Sequence, residues 1–293
     1  MAARSVSVLY YGSAMLATVL LAAEFGFSKK YQLAEGTASD AVLRFNALSG
    51  LVSAIAMWCI SGFRLEWSFY SFALALGSSL CCMGYTLLGF RVLKLGGMAL
   101  YTTFLMSGGM VLPYIFGILF LGEQLTAARI LGILAVLAAV ILTNFRKEKA
   151  DRTLLLLCSG VFLLNGLVSI LSKCHQIGTA FRPVESSLFV MYSGLCRFLL
   201  AALLLSTKPG PVWAIQKRGS VFVAAGAALI GAASYLLQLT CAKALPASVL
   251  YPIITGGSVV FSAAAGGLFF RERLSKRQLL GIALCMIGTL LFL

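Results

Sequence analysis

The chain has 293 residues, of which 60% are apolar and only 11% charged, with a formal net charge of +14. An ordinary soluble domain is about 25% charged, so this sequence lacks the polar residues to cover a surface in water, and lipid must do the covering. Its apolar runs are about 20 residues long and apolar on all sides, whereas barrel strands are about 10 residues with strict alternation; the fold class is an all-α membrane protein.

Ten spans follow in chain order: 6–27, 42–62, 68–90, 97–121, 126–145, 153–174, 186–206, 220–241, 247–270 and 276–293. Arg4 alone precedes the first run, which is longer than the ~7–15 residues of a signal-peptide core, so it is read as a helix. The connections are short. The longest, around 207–219, carries Pro209, Gly210 and Pro211, and none has room for an ATPase domain or a Gly-rich phosphate loop. The basic residues sit singly or in short clusters between the runs, the placement of topology signals and lipid headgroup contacts rather than of a nucleic-acid module. The eight cysteines (59, 81, 82, 158, 174, 196, 241 and 285) form no CxxC pair, and His175 is the sole histidine. They read as small buried hydrophobes, with no metal or cofactor expected.

An internal duplication organises the chain. A shift of 149 residues places Lys94 on Lys243, Gly108 on Gly257, Gly117 on Gly266, Glu123 on Glu272, Leu125 on Leu274 and Gly132 on Gly281. A shift of 144 places Ser28-Lys29 on Ser172-Lys173, Gln32 on Gln176, and Ser49-Gly50-Leu51 on Ser193-Gly194-Leu195. One insertion before the eighth span accounts for the difference. The expected organisation is two five-helix units, 1–145 and 152–293. Because five is odd, the copies face opposite ways, an arrangement common in secondary transporters.

The stretch from Lys243 through Pro246 and Tyr251-Pro252 to Arg271-Glu272-Arg273-Leu274 and Gly281 resembles the second repeat of EamA-type transporters, in the drug/metabolite transporter superfamily. Leu93-Lys94-Leu95, Leu121-Gly122-Glu123-Gln124-Leu125 and Gly132 resemble the first. Tyr251 to Gly288 also resembles the last two helices of the small multidrug resistance proteins. The resemblance implies ten helices as two inverted repeats around a central cavity. It implies alternating-access transport of a small metabolite, amino acid or drug-like solute through the cell membrane, with lipid and a coupling ion as further partners, by a monomer or homodimer. The alternatives are a channel, which lacks a visible filter here, and a membrane-embedded enzyme. One histidine with Asp40 and Asp151 near span ends makes a poor reactive constellation, so no catalysis is expected.

Charges inside a bilayer cost about 2.5–3.5 kcal/mol on insertion scales, which singles out Arg197 in the seventh span. It either holds an anionic group of the solute, pairs with Glu24, or caps backbone carbonyls. Glu24 falls near the end of the first span, displaced toward the interface from the mid-helix glutamate of the small multidrug resistance proteins; it is a candidate for coupling or substrate binding. Arg44 opens the second span and either snorkels or serves the site. Lys94 and Lys243 are interfacial anchors or a symmetric pair at the cavity mouths. Glu123 and Glu272 head helices, where the dipole favours an acid. Tyr85, Tyr101, Tyr192, Tyr235, Tyr251, Asn165 and Gln238 are polar groups within apolar runs and suit a moderately polar small-molecule site. Gly109, Pro113 and Gly117, with counterparts Ser258, Ser262 and Gly266, form a small-residue stripe for helix packing or for a hinge.

Orientation follows from the basic residues: Arg44 and Arg197 aside, and with residues at span ends counted to the adjoining connection, connections after odd-numbered spans hold 15 Lys/Arg, against 6 in the termini and the other connections. The positive-inside rule then puts both termini outside, whereas the resemblance implies cytoplasmic termini. The charge count sets the expectation. A reporter active only outside the cytoplasm, fused to Leu293, is expected to be active; activity of a cytoplasm-only reporter at that position reverses the assignment.

Overall fold

The structure, a computed structural model, describes residues 2–122, 126–144, 152–208, 218–271 and 275–291. Among these residues are nine α-helices: α1 (Ala2–Glu35), α2 (Ser39–Ile60), α3 (Phe69–Leu121), α4 (Ala127–Asn144), α5 (Arg152–Ile177), α6 (Ser186–Ser206), α7 (Arg218–Ala244), α8 (Ala247–Phe270) and α9 (Lys276–Leu290). No strand occurs among them. Eight segments are long and apolar enough to cross a bilayer, and α9 contributes a shorter apolar stretch, Leu279–Gly288. Large side chains such as Leu156, Phe222, Leu268 and Phe269 point outward, where lipid accepts them at no cost. The protein is an all-α, multi-pass membrane protein. Glu123, Glu272, Asp151 and residues 209–217 lie outside the described residues.

Two expected boundaries are corrected. Helix α1 runs to Glu35, eight residues past the expected end at 27, because Lys29 buries its ammonium against the Leu93 carbonyl (3.4 Å) instead of marking an interface. The third and fourth spans follow each other in one run of helical turns, Phe69–Leu121, so that no extended loop separates them at 91–96. That segment, Arg91-Val-Leu-Lys-Leu-Gly96, has no proline to break the helical turns, and Gly96 with Gly97 gives the chain room to bend.

A straight helix of that length would be far longer than a bilayer is thick, and the contacts with α5 give the answer. Tyr70, Gly77 and Gly84 of α3 meet Cys174, Leu171 and Leu164, descending α5. Leu105, Gly109 and Leu112 then meet Asn165, Asn165 with Ser169, and Gly166. The first series runs antiparallel to α5 and the second parallel to it. Helix α3 therefore doubles back between Gly84 and Leu105, and its two candidate spans, Phe69–Gly96 and Leu100–Leu121, are the arms of a hairpin.

The major packing partners are distant in sequence: α3 with α5, α2 with α6, α1 with α7, and α4 with α9. The antiparallel α2–α6 pair defines two ends of the molecule. At one end Asp40 pairs with Lys208, the Tyr31 hydroxyl donates to the Ala41 carbonyl (3.2 Å), and Arg44 meets Glu35. At the other, the α5 terminus packs on the start of α3, with the Tyr70 hydroxyl donating to the Cys174 carbonyl (2.8 Å) and His175 bonded to Ser71 (3.1 Å).

Midway, Gly50 and Gly194 let α2 and α6 cross backbone to backbone. A Cβ on Gly50 would lie 2.7 Å from the Gly194 carbonyl oxygen, and one on Gly194 would lie 2.8 Å from the Gly50 oxygen. Small residues at helix crossings in lipid permit this approach. Gly194→Ala is expected to destabilise the protein by about 1–3 kcal/mol, the range for overpacking. Gly26→Ala, where a Cβ meets nothing within 4 Å, is expected to leave the thermal midpoint unchanged or raise it. Equal midpoints for the two variants in detergent would show that the crossing is not tight.

Candidate functional site

A cavity of about 190 Å³ lies in the interior, lined from α1, α2, both arms of α3, α5, α6, α7 and α8. Eight of the residues singled out from sequence line it: Glu24, Tyr85, Tyr101, Asn165, Arg197, Tyr235, Gln238 and Tyr251. They converge because the arms of α3 and helix α5 bring one wall, α1 and α7 the opposite wall, and the α2–α6 crossing sets the depth.

Arg197 is the twelfth of the 21 residues of α6, at mid-depth. Its Nη1 donates to the Cys82 sulfur at 3.3 Å, and the Cys82 thiol donates to the Tyr85 hydroxyl at 3.2 Å. Its Nε has no hydrogen-bond partner among the described residues. Of the two structural readings, pairing with Glu24 is not made: among the described residues no carboxylate lies within 4.0 Å of Arg197. Glu24 nevertheless faces the same cavity and feels the guanidinium electrostatically. An arginine keeps its charge at any accessible pH, so this site is permanently cationic on one wall.

The expected interfacial position of Glu24 is corrected by the length of α1. Within Leu9–Glu35 it is the sixteenth of 27 residues, at mid-depth like Arg197. Its carboxyl lies flat on Gly231 of α7, where an added Cβ would come within 2.5–2.7 Å of the carboxyl atoms. Any larger residue at 231 displaces it. Nothing in the sequence marks Gly231 among 29 glycines.

The remaining polar groups are mostly anchored on backbone carbonyls. Asn165 Nδ2 donates to Leu105 O (2.7 Å) and the Tyr251 hydroxyl to Ser169 O (2.9 Å). Tyr235 bonds Ser172 Oγ (2.6 Å), and Gln238 donates to Ser234 Oγ (3.0 Å). Ser79 Oγ donates to Ser193 O at 2.7 Å, while Ser78 Oγ in the cavity wall has no partner among the described residues. Phe25 packs edge-on against Tyr101 (6.2 Å). The Cys82 thiol and these serines were not legible as site residues; the cysteine reads as a small hydrophobe until Arg197 is seen beside it.

Four candidates lie off the cavity. Arg44 is buried at the Asp40 end with its guanidinium 4.0 Å from Glu35, an ion pair that holds the α1–α2 turn. Tyr192 donates its hydroxyl to the Glu66 carbonyl and packs edge-on against Trp67 (6.1 Å), which ties α6 to the 61–68 connection. Lys94 and Lys243 are exposed at the reversal of α3 and in the last turn of α7, in keeping with anchors at interfaces. Their neighbours matter more. Lys29 and Lys173 are only 8% and 7% exposed, and they donate to the carbonyls of Leu93 (3.4 Å) and Ala242 (3.2 Å), each one residue before Lys94 or Lys243. Ser28, Leu93, Ser172 and Ala242 all line the cavity, so each bond lies beside it.

Comparison with known proteins agrees with this architecture. Residues 153–293 match the EamA-like transporter family. A solved crystal structure, described only as that of a protein, is similar over 98% of this chain and 96% of its own, with a TM-score of 0.65 and 18% identity. That likeness concerns the fold. No curated protein matches the chain.

Proposed function

Because the chain is an EamA-type protein of the drug/metabolite transporter superfamily, matched over residues 153–293, we propose that it is a secondary transporter. It moves a small solute across the cell membrane by alternating access, through a cavity between two inverted five-helix units, 1–145 and 152–293. On this reading the hairpin arms of α3 count as two spans, and α4 and α9 complete ten.

Three contacts support the duplication, since each recurs under the same two shifts seen in the sequence. Lys29 on Leu93 O corresponds to Lys173 on Ala242 O. The Gly77–Leu171 contact corresponds to Gly226–Phe27, and Gly108–Phe162 to Gly257–Thr18. The helix ends match too: Gly122 and Arg271 are both left-handed caps (φ 68° and 52°) whose N–H groups donate to Gly117 O and Gly266 O. Gly50 against Gly194 then lies where the two units meet about their common axis.

The observation that carries the transport reading is Arg197: a mid-membrane guanidinium facing a cavity that, among the described residues, is bonded only to a thiol and has its Nε unpartnered. A buried cation needs a compensating acid, dipole, water or ligand, and an organic carboxylate fits the guanidinium fork. Lys keeps the charge and loses the fork, and Gln loses both. In reconstituted vesicles, Arg197→Lys and Arg197→Gln are expected to reach normal abundance and lose at least tenfold in uptake. Normal uptake by both removes Arg197 from the site; loss through absence from the membrane gives it a folding role instead.

Alternating access also needs closures at both ends, and the two buried lysines occupy those positions. By the charge count the Lys29 end is cytoplasmic. In a chain whose one cysteine is Cys82, Lys29→Met is expected to raise labelling by a membrane-impermeant maleimide several-fold from the cytoplasmic face. Lys173→Met is expected to raise it from the opposite face. Labelling from one common face, or unchanged labelling, shows that these lysines are not the closures.

A further inference from the structure

We infer that the transported solute is a small zwitterion, carrying a carboxylate for Arg197 and an ammonium group for Glu24. The inference rests on the transporter reading and deepens it. Two opposite charges stand at the same depth in one cavity: Arg197 on α6, the twelfth of 21 residues, and Glu24 on α1, the sixteenth of 27. They are close enough to interact electrostatically and yet make no ion pair within 4.0 Å among the described residues. If the pair served only to neutralise charge within the fold, direct contact would be the favoured geometry, because attraction in a low-dielectric interior rises steeply as the distance falls.

Instead each is held on its own wall. Arg197 is tethered sideways by the Cys82 sulfur. Glu24 is seated on the bare backbone of Gly231, where even a methyl group would displace the carboxyl. A singly charged solute would engage the group on one wall and leave the group on the other without a partner. A zwitterion matches both at once and brings no net charge into the bilayer. The volume, about 190 Å³, confines it to a small molecule, and the aromatic pair Phe25–Tyr101 lines the same cavity as Glu24.

The test uses the purified full-length protein and three probes of one carbon skeleton: leucine, its deaminated acid 4-methylpentanoate, and its decarboxylated amine isoamylamine, followed by the same trio for the other apolar amino acids. Binding is read by thermal shift, since a ligand of the native state raises apparent stability, and uptake is read in vesicles. At least one zwitterion is expected to bind ten times or more tightly than its acid and its amine. Arg197→Gln should erase its advantage over the amine, and Glu24→Gln its advantage over the acid. Arg197→Lys, which retains the charge, should keep part of the first preference and so separates recognition from misfolding. Acid or amine binding within twofold of the zwitterion, or no binding by any zwitterion, overturns the substrate class. Binding of a zwitterion without saturable uptake instead overturns the transporter reading and leaves the recognition standing.

Discussion

Lipid supplies no hydrogen-bond partners, and that constraint shapes the molecule at every level. It forces the backbone into helices, and it then disposes of each polar side chain that the helices carry. Many simply bond the carbonyl one turn back: Ser49 to Phe45, Thr86 to Cys82, Thr255 to Tyr251 and Ser258 to Ile254, all at 2.5–2.7 Å. Others reach a neighbouring helix and fasten it, as Asn165 does to α3, Tyr251 to α5 and Ser234 to Ala17 of α1. Backbone carbonyls are thus the common currency of side-chain satisfaction here. The groups left facing the cavity are those whose needs the helices do not fully meet, Arg197 and Glu24 foremost.

The helical fold and most of the cavity were legible in the sequence because both rest on composition along single helices. Eight of the twelve polar candidates line the cavity, since a polar group in an apolar run has few other places to go. The failures have physical causes. Arg44 and Tyr192 are equally polar and equally buried, but each found a partner near an end of the bundle, and partner choice depends on the three-dimensional packing. Lys29 follows closely on the expected end of the first span at 27, so a reading by composition stops α1 short and leaves Glu24 near the interface. A lysine whose stem lies along a helix and whose ammonium reaches a carbonyl is invisible to a reading by residue type. Gly231 and Cys82 act only through what they touch.

The paired helices give α3 a second significance. Where residues 91–99 continue as helix through the reversal, the stretch that a shift of 149 residues relates to them is interrupted, with α7 ending at Ala244, Pro246 capping α8 and Ala247 beginning it. Proline lacks the amide that helical continuity requires, whereas the first half has Gly97 at the position that a 149-residue shift relates to Pro246. Two similar sequences therefore turn by different means. Under the proposed transport cycle this gives the two ends of the cavity unequal stiffness.

The pairing of helices far apart in sequence has a consequence for how the protein is made. A ribosome delivers α1 to α4 before any part of α5 to α9 exists, yet α1, α2 and α3 find their main partners in α7, α6 and α5. The emerging first half must hold Gly50 and the Leu105 carbonyl, among other groups, without the partners that later cover them. Its helices can insert one at a time, because insertion depends on each segment's own hydropathy, but they cannot lock together until the remainder of the chain arrives. Faults at the α2–α6 crossing would therefore surface during biogenesis as fully inserted but unassembled protein, open to quality-control proteolysis, rather than as a failure to enter the membrane.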